Sequence, residues 1–386
     1  MVKYLVLFLL SFFATSWIFK KVLKIAIMKN IVDNPDARKL QRQPVPVLGG
    51  IAVFFGMLIA LVVCNMYFKA DWILVVVGLM MVMLYIGTLD DMLSLSPFFR
   101  FFLEVLVIMI MITCNDNSIN NFHGLWNIWW MPEWASIIVT VIACVGIINA
   151  INLIDGVNGL CSGYCIITCV LFSIIFWMSH NFEATAMAII AVGALIPFFF
   201  HNVFGKTSKM FLGDGGSLLM GMTMAVFVVE LLNDRTGFFI ANCPDLGIVP
   251  LALALLAIPV FDTLRVMIMR IVRGKSPFSP DKTHLHHLFF DFGFSHIGTT
   301  FSVISLNLLV VAVWAVIYWN GGSIEAQLYI VSFMGLCVTF VFYPVMRWIE
   351  RRDGRLSEKL KRFGKMTHVG HTECFKSITS FLDRNC

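Results

Sequence analysis

Eleven long apolar runs alternate with short polar segments along the chain. They cover roughly 2–22, 49–68, 72–89, 98–114, 134–152, 160–179, 184–201, 215–232, 247–268, 299–319 and 326–346. A run of about twenty apolar residues is long enough to cross a bilayer as helix. In hydrocarbon a backbone has to satisfy its own hydrogen bonds, so helix is the form such runs take. The pattern predicts an all-α polytopic membrane protein with about eleven transmembrane helices.

Composition supports this reading. The 386 residues are 59% hydrophobic and 13% charged, with mean hydropathy +0.86; an average soluble domain carries roughly 25% charged residues. The net charge of +5 does not imply a nucleic-acid partner, because the basic residues flank the apolar runs. The ten cysteines contain no CxxC pair. Cys161, Cys165 and Cys169 recur at helical spacing inside one run and read as small core residues.

Charge also orients the chain. Only Lys3 precedes the first run, whereas Lys20, Lys21 and Lys24 follow it, and no small-residue cleavage pattern is evident. The first run is therefore read as a retained helix with its N-terminus outside. The inner segments then fall near 23–48, 90–97, 153–159, 202–214 and 269–298, and the tail after 347 is cytoplasmic. All Lys and Arg except Lys3, Lys69 and Arg235 fall inside or at an inner helix end, as the positive-inside rule requires. The outer segment 115–133 carries Trp126, Trp129 and Trp130, residues suited to a membrane interface. Two parts are expected: a transmembrane unit over 1–346 and a basic tail over 347–386. A helix near Leu356–Phe363 is expected to lie on the inner leaflet, accessory to any chemistry.

On this topology the polar residues at the run ends share one face. Asp90 and Asp91 end the third run, and adjacent carboxylates repel unless a cation or proton relieves them. Asp155 and Asn158 lie in a short glycine-flanked loop, with Asn149 and Asn152 just before it on one helix face. Asp214 lies in Phe211-Leu-Gly-Asp-Gly-Gly-Ser217, where glycines beside a helix start suit a phosphate. His284, His286 and His287 stand in a polar loop with Arg273, Lys275 and Lys282, a set better suited to a diphosphate than to zinc. Taken singly, each also fits a solvated helix end, a turn, an N-cap or a basic loop. Asp262 and Arg265, one turn apart near an inner end, can pair.

The ordered motifs LDD (89–91), NAINLIDGVNGL (149–160), FLGDGGS (211–217) and SPFSPDKTHLHH (276–287) resemble one family closely. It is the polyprenyl-phosphate N-acetylhexosamine-1-phosphate transferases. NPDARK (34–39) and PVPVLGG (44–50) resemble that family's first inner loop, and the likeness spans roughly 30–300. The THLHH form resembles the bacterial WecA/TagO-like branch rather than the MraY-like branch, which uses a UDP-MurNAc-pentapeptide.

The resemblance implies a reaction. A UDP-N-acetylhexosamine, UDP-GlcNAc first, gives its sugar-1-phosphate to undecaprenyl phosphate and releases UMP. It implies Mg2+, or Mn2+ in its place, at the cytoplasmic face of a bacterial inner membrane. Partners are the UDP-sugar, undecaprenyl phosphate and membrane lipid, with no nucleic acid and a homodimer as one oligomeric state. By the same resemblance Asp214 is the metal ligand. Asp90 orients or deprotonates the lipid phosphate, and Asp91 supports metal or phosphate. Asn152, Asp155 and Asn202 contact the nucleotide sugar, and Phe211 stacks on uracil. His284, His286 and His287 bind diphosphate or sugar, while Arg100 and Lys39 reach the lipid phosphate. Two positions depart from the family pattern. Asn158 stands where a second acid is usual and can hydrogen-bond donor without charge; Ser94 stands where many members carry Lys, leaving Arg100 to supply that charge. A transporter or lipid flippase is the alternative from another class.

Overall fold

The computed structural model describes residues 1–33, 43–115, 117–233, 243, 245–279, 282–352 and 354–384. Lys39, Arg235, Pro280 and Asp281 lie outside the described residues. Among those described the fold is helical, apart from one antiparallel pair, β1 (Val32–Asp33) and β2 (Val45–Pro46).

Eight long helices come first: α1 (Val2–Met28), α2 (Gly49–Phe68), α3 (Asp71–Leu93), α4 (Pro97–Asn115), α5 (Glu133–Leu153), α6 (Leu160–Met178), α7 (Phe182–Phe204) and α8 (Gly213–Leu232). A bent pair follows, α9 (Ile248–Leu255) and α10 (Ala257–Val272), then a short α11 (Leu285–Asp291) and the long α12 (His296–Trp319). The next helix, α13 (Ile324–Leu336), passes through a π turn at Cys337–Phe342 into α14 (Tyr343–Arg352). Among the described residues ten segments are long and apolar enough to cross a membrane, and the bent pair makes up to eleven. They coincide with the eleven apolar runs.

α8 forms the axis of the bundle. It packs against α2, α3, α5 and α6, and every residue from Gly215 to Leu232 is buried. Its polar side chains are satisfied inside: Thr223 donates to the Leu219 carbonyl at 2.9 Å, and Glu230 accepts from Asn117 at 2.6 Å and Asn181 at 3.3 Å. Trp126, Trp129 and Trp130 are exposed in the segment that covers this end of α8, as their interfacial composition suggests.

The ninth apolar run differs from its expected form. A single helix was expected over 247–268, whereas α9 and α10 meet at Leu256 with a bend of 74°. The cause is Pro259, which has no N–H and whose ring clashes with the carbonyl four residues back, that of Leu255. Side chains from other helices take over the released backbone groups. Asn307 donates to the Ala254 and Leu255 carbonyls at 3.3 and 3.1 Å and accepts from the Ile258 N–H at 3.0 Å. Tyr164 donates to the Leu255 carbonyl at 2.8 Å. A broken helix is tolerated in a membrane only with such substitutes. Asn307→Leu should leave the buried Ile258 N–H unmet, at about 1–3 kcal/mol, while the Leu255 carbonyl keeps Tyr164. We expect a lower thermal unfolding temperature in detergent; an unchanged one would show that the bend needs no cap.

The eleventh run also extends past its expected end at 346, since α14 continues to Arg352. Beyond it, α15 (Gly354–Met366) contains the amphipathic segment expected near Leu356–Phe363, and α16 (Glu373–Arg384) follows.

Candidate active site

The first turn of α8 is where the motifs meet. Gly213 has φ +74° and no room for a side chain: a Cβ there would fall 2.4 Å from the Val47 carbonyl and 2.6 Å from Asp91 Oδ2. At Gly87 a Cβ would fall 2.3 Å from the Asp214 carbonyl, and at Gly50 it would fall 2.4 Å from Gly216 Cα. Glycine therefore lets the backbones of α2 and α3 touch the start of α8. That approach brings the end of α3, with its two acids, beside Asp214.

Asp90 and Asp91 are neighbours in sequence but turn to different partners. Asp91 accepts from the Gly215 N–H at 3.3 Å, against the α8 start. Asp90 accepts from the Leu95 N–H at 2.8 Å and pairs with Arg100 Nη1 at 2.9 Å. Arg100 also lies 3.5 Å from Glu104 and donates to Asn149 Oδ1 at 3.4 Å, and Asn149 in turn donates to Glu104. Arg100 thus supplies a cation directly beside Asp90. Glu104 and Asn149 lie in the third layer behind it. Only their position inside apolar runs hinted at such a role.

Asn152 joins the acidic corner. Its Nδ2 donates to Asp214 Oδ1 and to Ser217 Oγ, both at 2.8 Å. Asp155, one turn on, feels the negative charge of Asp214 and Asp91 as well as its own enclosure. Burial first, and those two carboxylates second, push its pKa well above the ordinary carboxylate range. Asp155 keeps a partly solvent-facing edge, so the enclosure comes from atoms packed around a cleft rather than over it. The corner is anionic, and its donor atoms are oxygens.

Three elements border this corner. The loop of Asp155 meets α11, where a Cβ on Gly156 would lie 2.7 Å from His286 Nε2. His284, at the start of α11, is buried against Asp262: its Nδ1 lies 3.0 Å from Oδ2. Asp262 also pairs with Arg265 at 2.7 Å, as their spacing predicts, and accepts from the Leu285 N–H at 3.1 Å. Arg265 in turn lies over the Tyr343 ring, 3.9 Å from its centre. The His286 and His287 rings lie 4.4 Å apart, tilted by 42°. Burial lowers the pKa of both, that of His287 to about 4. A phosphate arriving beside them would favour the charged form. Arg273 and Lys275 are exposed on the loop before them.

The third element is the 205–212 segment. The Phe211 and Leu212 carbonyls accept from the Gly49 and Gly50 N–H groups at 3.0 and 2.9 Å, and the Phe211 N–H donates to Pro46 at 2.7 Å. The Phe211 ring is half-buried, with Lys209 Nζ 5.7 Å from its centre. Lys209 was not singled out from the sequence, where it looks like one more interfacial cation. Asn202 is buried, accepting from the Gly159 N–H at 2.6 Å and donating to the Met210 carbonyl at 2.8 Å. Its side chain ties two site loops together. Asn158 is buried too; its N–H donates to His296 Nδ1 at 3.2 Å and its carbonyl accepts from Thr300.

The corner suits a hard divalent cation. Asp91 and Asp214 offer carboxylate oxygens beside the start of α8, and their charges help to raise the Asp155 pKa. Among the described residues no three His, Cys, Asp or Glu side chains form a ready cage. Magnesium is commonly held by one or two carboxylates, with substrate phosphates and water completing its shell.

Residues 73–232 match the glycosyl transferase family 4 model. An undecaprenyl-phosphate alpha-N-acetylglucosaminyl 1-phosphate transferase of Yersinia pestis is 30% identical over 348 residues, 88% of this chain and 89% of the relative. One of the same name from Escherichia coli (strain K12) is 28% identical over 346 residues, 86% of this chain and 90% of the relative. A Bacillus subtilis (strain 168) relative aligns at 27% identity over 95% of this chain and 96% of its own length.

Proposed function

The chain belongs to glycosyl transferase family 4, and from that premise we propose that it transfers N-acetylglucosamine-1-phosphate from UDP-GlcNAc to undecaprenyl phosphate. The observation that carries this reading is the gathering of Asp91, Asp155 and Asp214 around the glycine-lined start of α8, with cations and imidazoles beside them. Two polyanions have to meet in this reaction, and such a corner handles their phosphates.

An oxygen of the lipid phosphate attacks the β-phosphorus of the donor. The bond from that phosphorus to the bridging oxygen breaks, and its electron pair leaves on UMP. The acceptor supplies the nucleophile, so the protein's task is positioning and charge. Asp214 and Asp91 would hold Mg2+, or Mn2+ in its place, which offsets charge on the diphosphate and the departing UMP when bound. Arg100 receives the lipid phosphate while Asp90, held by the Leu95 N–H, orients it. Asp155, at the edge of the same corner, contacts the nucleotide sugar. His286 and His287 line the diphosphate side, and Phe211 lies against the base. Asn202 acts through the loops it joins. The basic residues flanking the helices at this end support a site on the cytoplasmic face of a bacterial inner membrane, where UDP-sugars are made.

Purified protein in detergent, incubated with labelled UDP-GlcNAc, undecaprenyl phosphate and Mg2+, should form a lipid-linked diphosphate sugar and UMP. UDP-GalNAc and a deoxy aminosugar donor should be poorer. No labelled lipid product from any donor of the panel would refute the reading.

A further inference from the structure

The tail beyond Arg352 is stitched to the two segments that frame the donor side of the site. At its near end, Ser295 N–H donates to Thr367 Oγ1 at 2.9 Å and Ser295 Oγ donates to the Thr367 carbonyl at 2.7 Å. Gly364 lies against the Phe292 carbonyl, too close for a Cβ, and His368 Nε2 lies 3.0 Å from the Gly293 carbonyl. These contacts fix the turn that leads to His296, the residue bonded to the Asn158 N–H.

At its far end, Asp383 holds the other segment. Its carboxylate accepts from the backbone N–H groups of Lys206, Thr207 and Ser208 at 3.2, 3.3 and 3.0 Å, and from Ser208 Oγ at 2.8 Å. Three successive N–H groups turned to one carboxylate make a nest that needs an anion at its centre. Thr379 donates to the Phe204 carbonyl at 2.8 Å, and the Phe204 and Phe375 rings lie 5.1 Å apart. Ser208 also lies 3.1 Å from His201 Nδ1, and the His201 ring stacks on Phe19 at 4.2 Å. The held segment runs directly into Lys209 and Phe211.

Between the two stitches lies a cavity of about 1000 Å³. Lys206, Lys209 and His296 line it from the body, and Lys376, Thr379 and Ser380 from α16. Among the described residues three lysines face this space and no carboxylate lines it. Lys209 is half-buried, and burial lowers its pKa from the ordinary lysine range. Such a chamber favours an anion with several charges.

We propose that the C-terminal tail is a wall of the donor site: Asp383 positions the 206–211 segment that carries Lys209 and Phe211, and the lysine-lined chamber beneath α16 draws the anionic donor toward that segment. This rests on the proposed transferase reading and adds to it a place and a holder. Asp383 touches no reacting atom and acts as a positioning residue. The tail, whose sequence reads as an accessory basic extension, would then be required for donor affinity.

The full-length protein in detergent tests this with UDP as the probe, by titration calorimetry, alongside steady-state transfer. For Asp383→Ala we expect the UDP Kd and the KM for UDP-GlcNAc to rise about tenfold, the worth of roughly one charge-assisted contact. The KM for undecaprenyl phosphate and the turnover at saturating donor should stay within about twofold, and Asp383→Glu should recover part of the loss. Lys376→Glu leaves the stitches intact and should weaken UDP by a similar factor, which keeps the test valid should Asp383→Ala misfold. Unchanged UDP affinity in both variants would overturn the proposal. A wild-type protein that binds no UDP would instead overturn the transferase reading beneath it.

Discussion

Asp214→Asn is expected to lower transfer by about a thousandfold or more, since a divalent cation in phosphoryl chemistry contributes several kcal/mol. The substitution is nearly isosteric. An amide oxygen can still accept from Asn152, and the glycine contacts of α2 and α3 with the α8 start involve backbone rather than the carboxylate. Thermal unfolding and membrane insertion should therefore stay close to wild type. Transfer assayed across a Mg2+ and Mn2+ series should show no recovery at high metal. Near-normal turnover would remove Asp214 from the metal role and leave Asp91 as the better candidate.

Asp262→Ala should act through stability first. Asp262 and Arg265 are both buried, and removing one partner of a buried ion pair costs about 3–5 kcal/mol by leaving the other charge uncompensated. Here the loss is wider, because Asp262 also holds His284 and the Leu285 N–H, which together start α11. We expect a clearly lower unfolding temperature together with loss of transfer. The double substitution Asp262→Leu with Arg265→Met separates the two effects. It removes the orphaned charge and should regain much of the unfolding temperature, while His284 stays without its carboxylate and transfer stays low. If the double variant regained transfer as well, Asp262 would have no part in placing the histidines.

Much of the molecule is legible in the sequence because its two strongest signals are local. Apolar run length marks every crossing, since hydrocarbon thickness acts on contiguous residues. The pairing of Asp262 with Arg265 is also local, one helical turn, and the structure contains it. The bend at Leu256 was equally local and still missed. Hydropathy averaged over a span does not register one proline, although Pro259 marks the place. Contacts across many residues leave no such trace. Nothing about His284 in sequence points to Asp262, and nothing in the tail's sequence ties Asp383 to the 206–208 backbone. Asp90 and Asp91 show the same limit at closest range. As sequence they are one acidic pair; the difference between them comes from α4 on one side and the α8 start on the other.

The enclosure of α8 bears on the order in which the protein can be made. Each helix packed against its glycine-rich start, α2, α3 and α5, precedes it in the chain, so a nascent α8 finds those neighbours already in the bilayer. The bent pair is placed differently. Tyr164 is synthesised before the bend and can take the Leu255 carbonyl at once, whereas Asn307 emerges only with α12. Until then the Ala254 carbonyl and the Ile258 N–H lack this partner, and α9 and α10 complete their fit only when the chain behind them arrives. Ribosome-stalled chains ending before and after α12 would differ at this joint and be alike at α8.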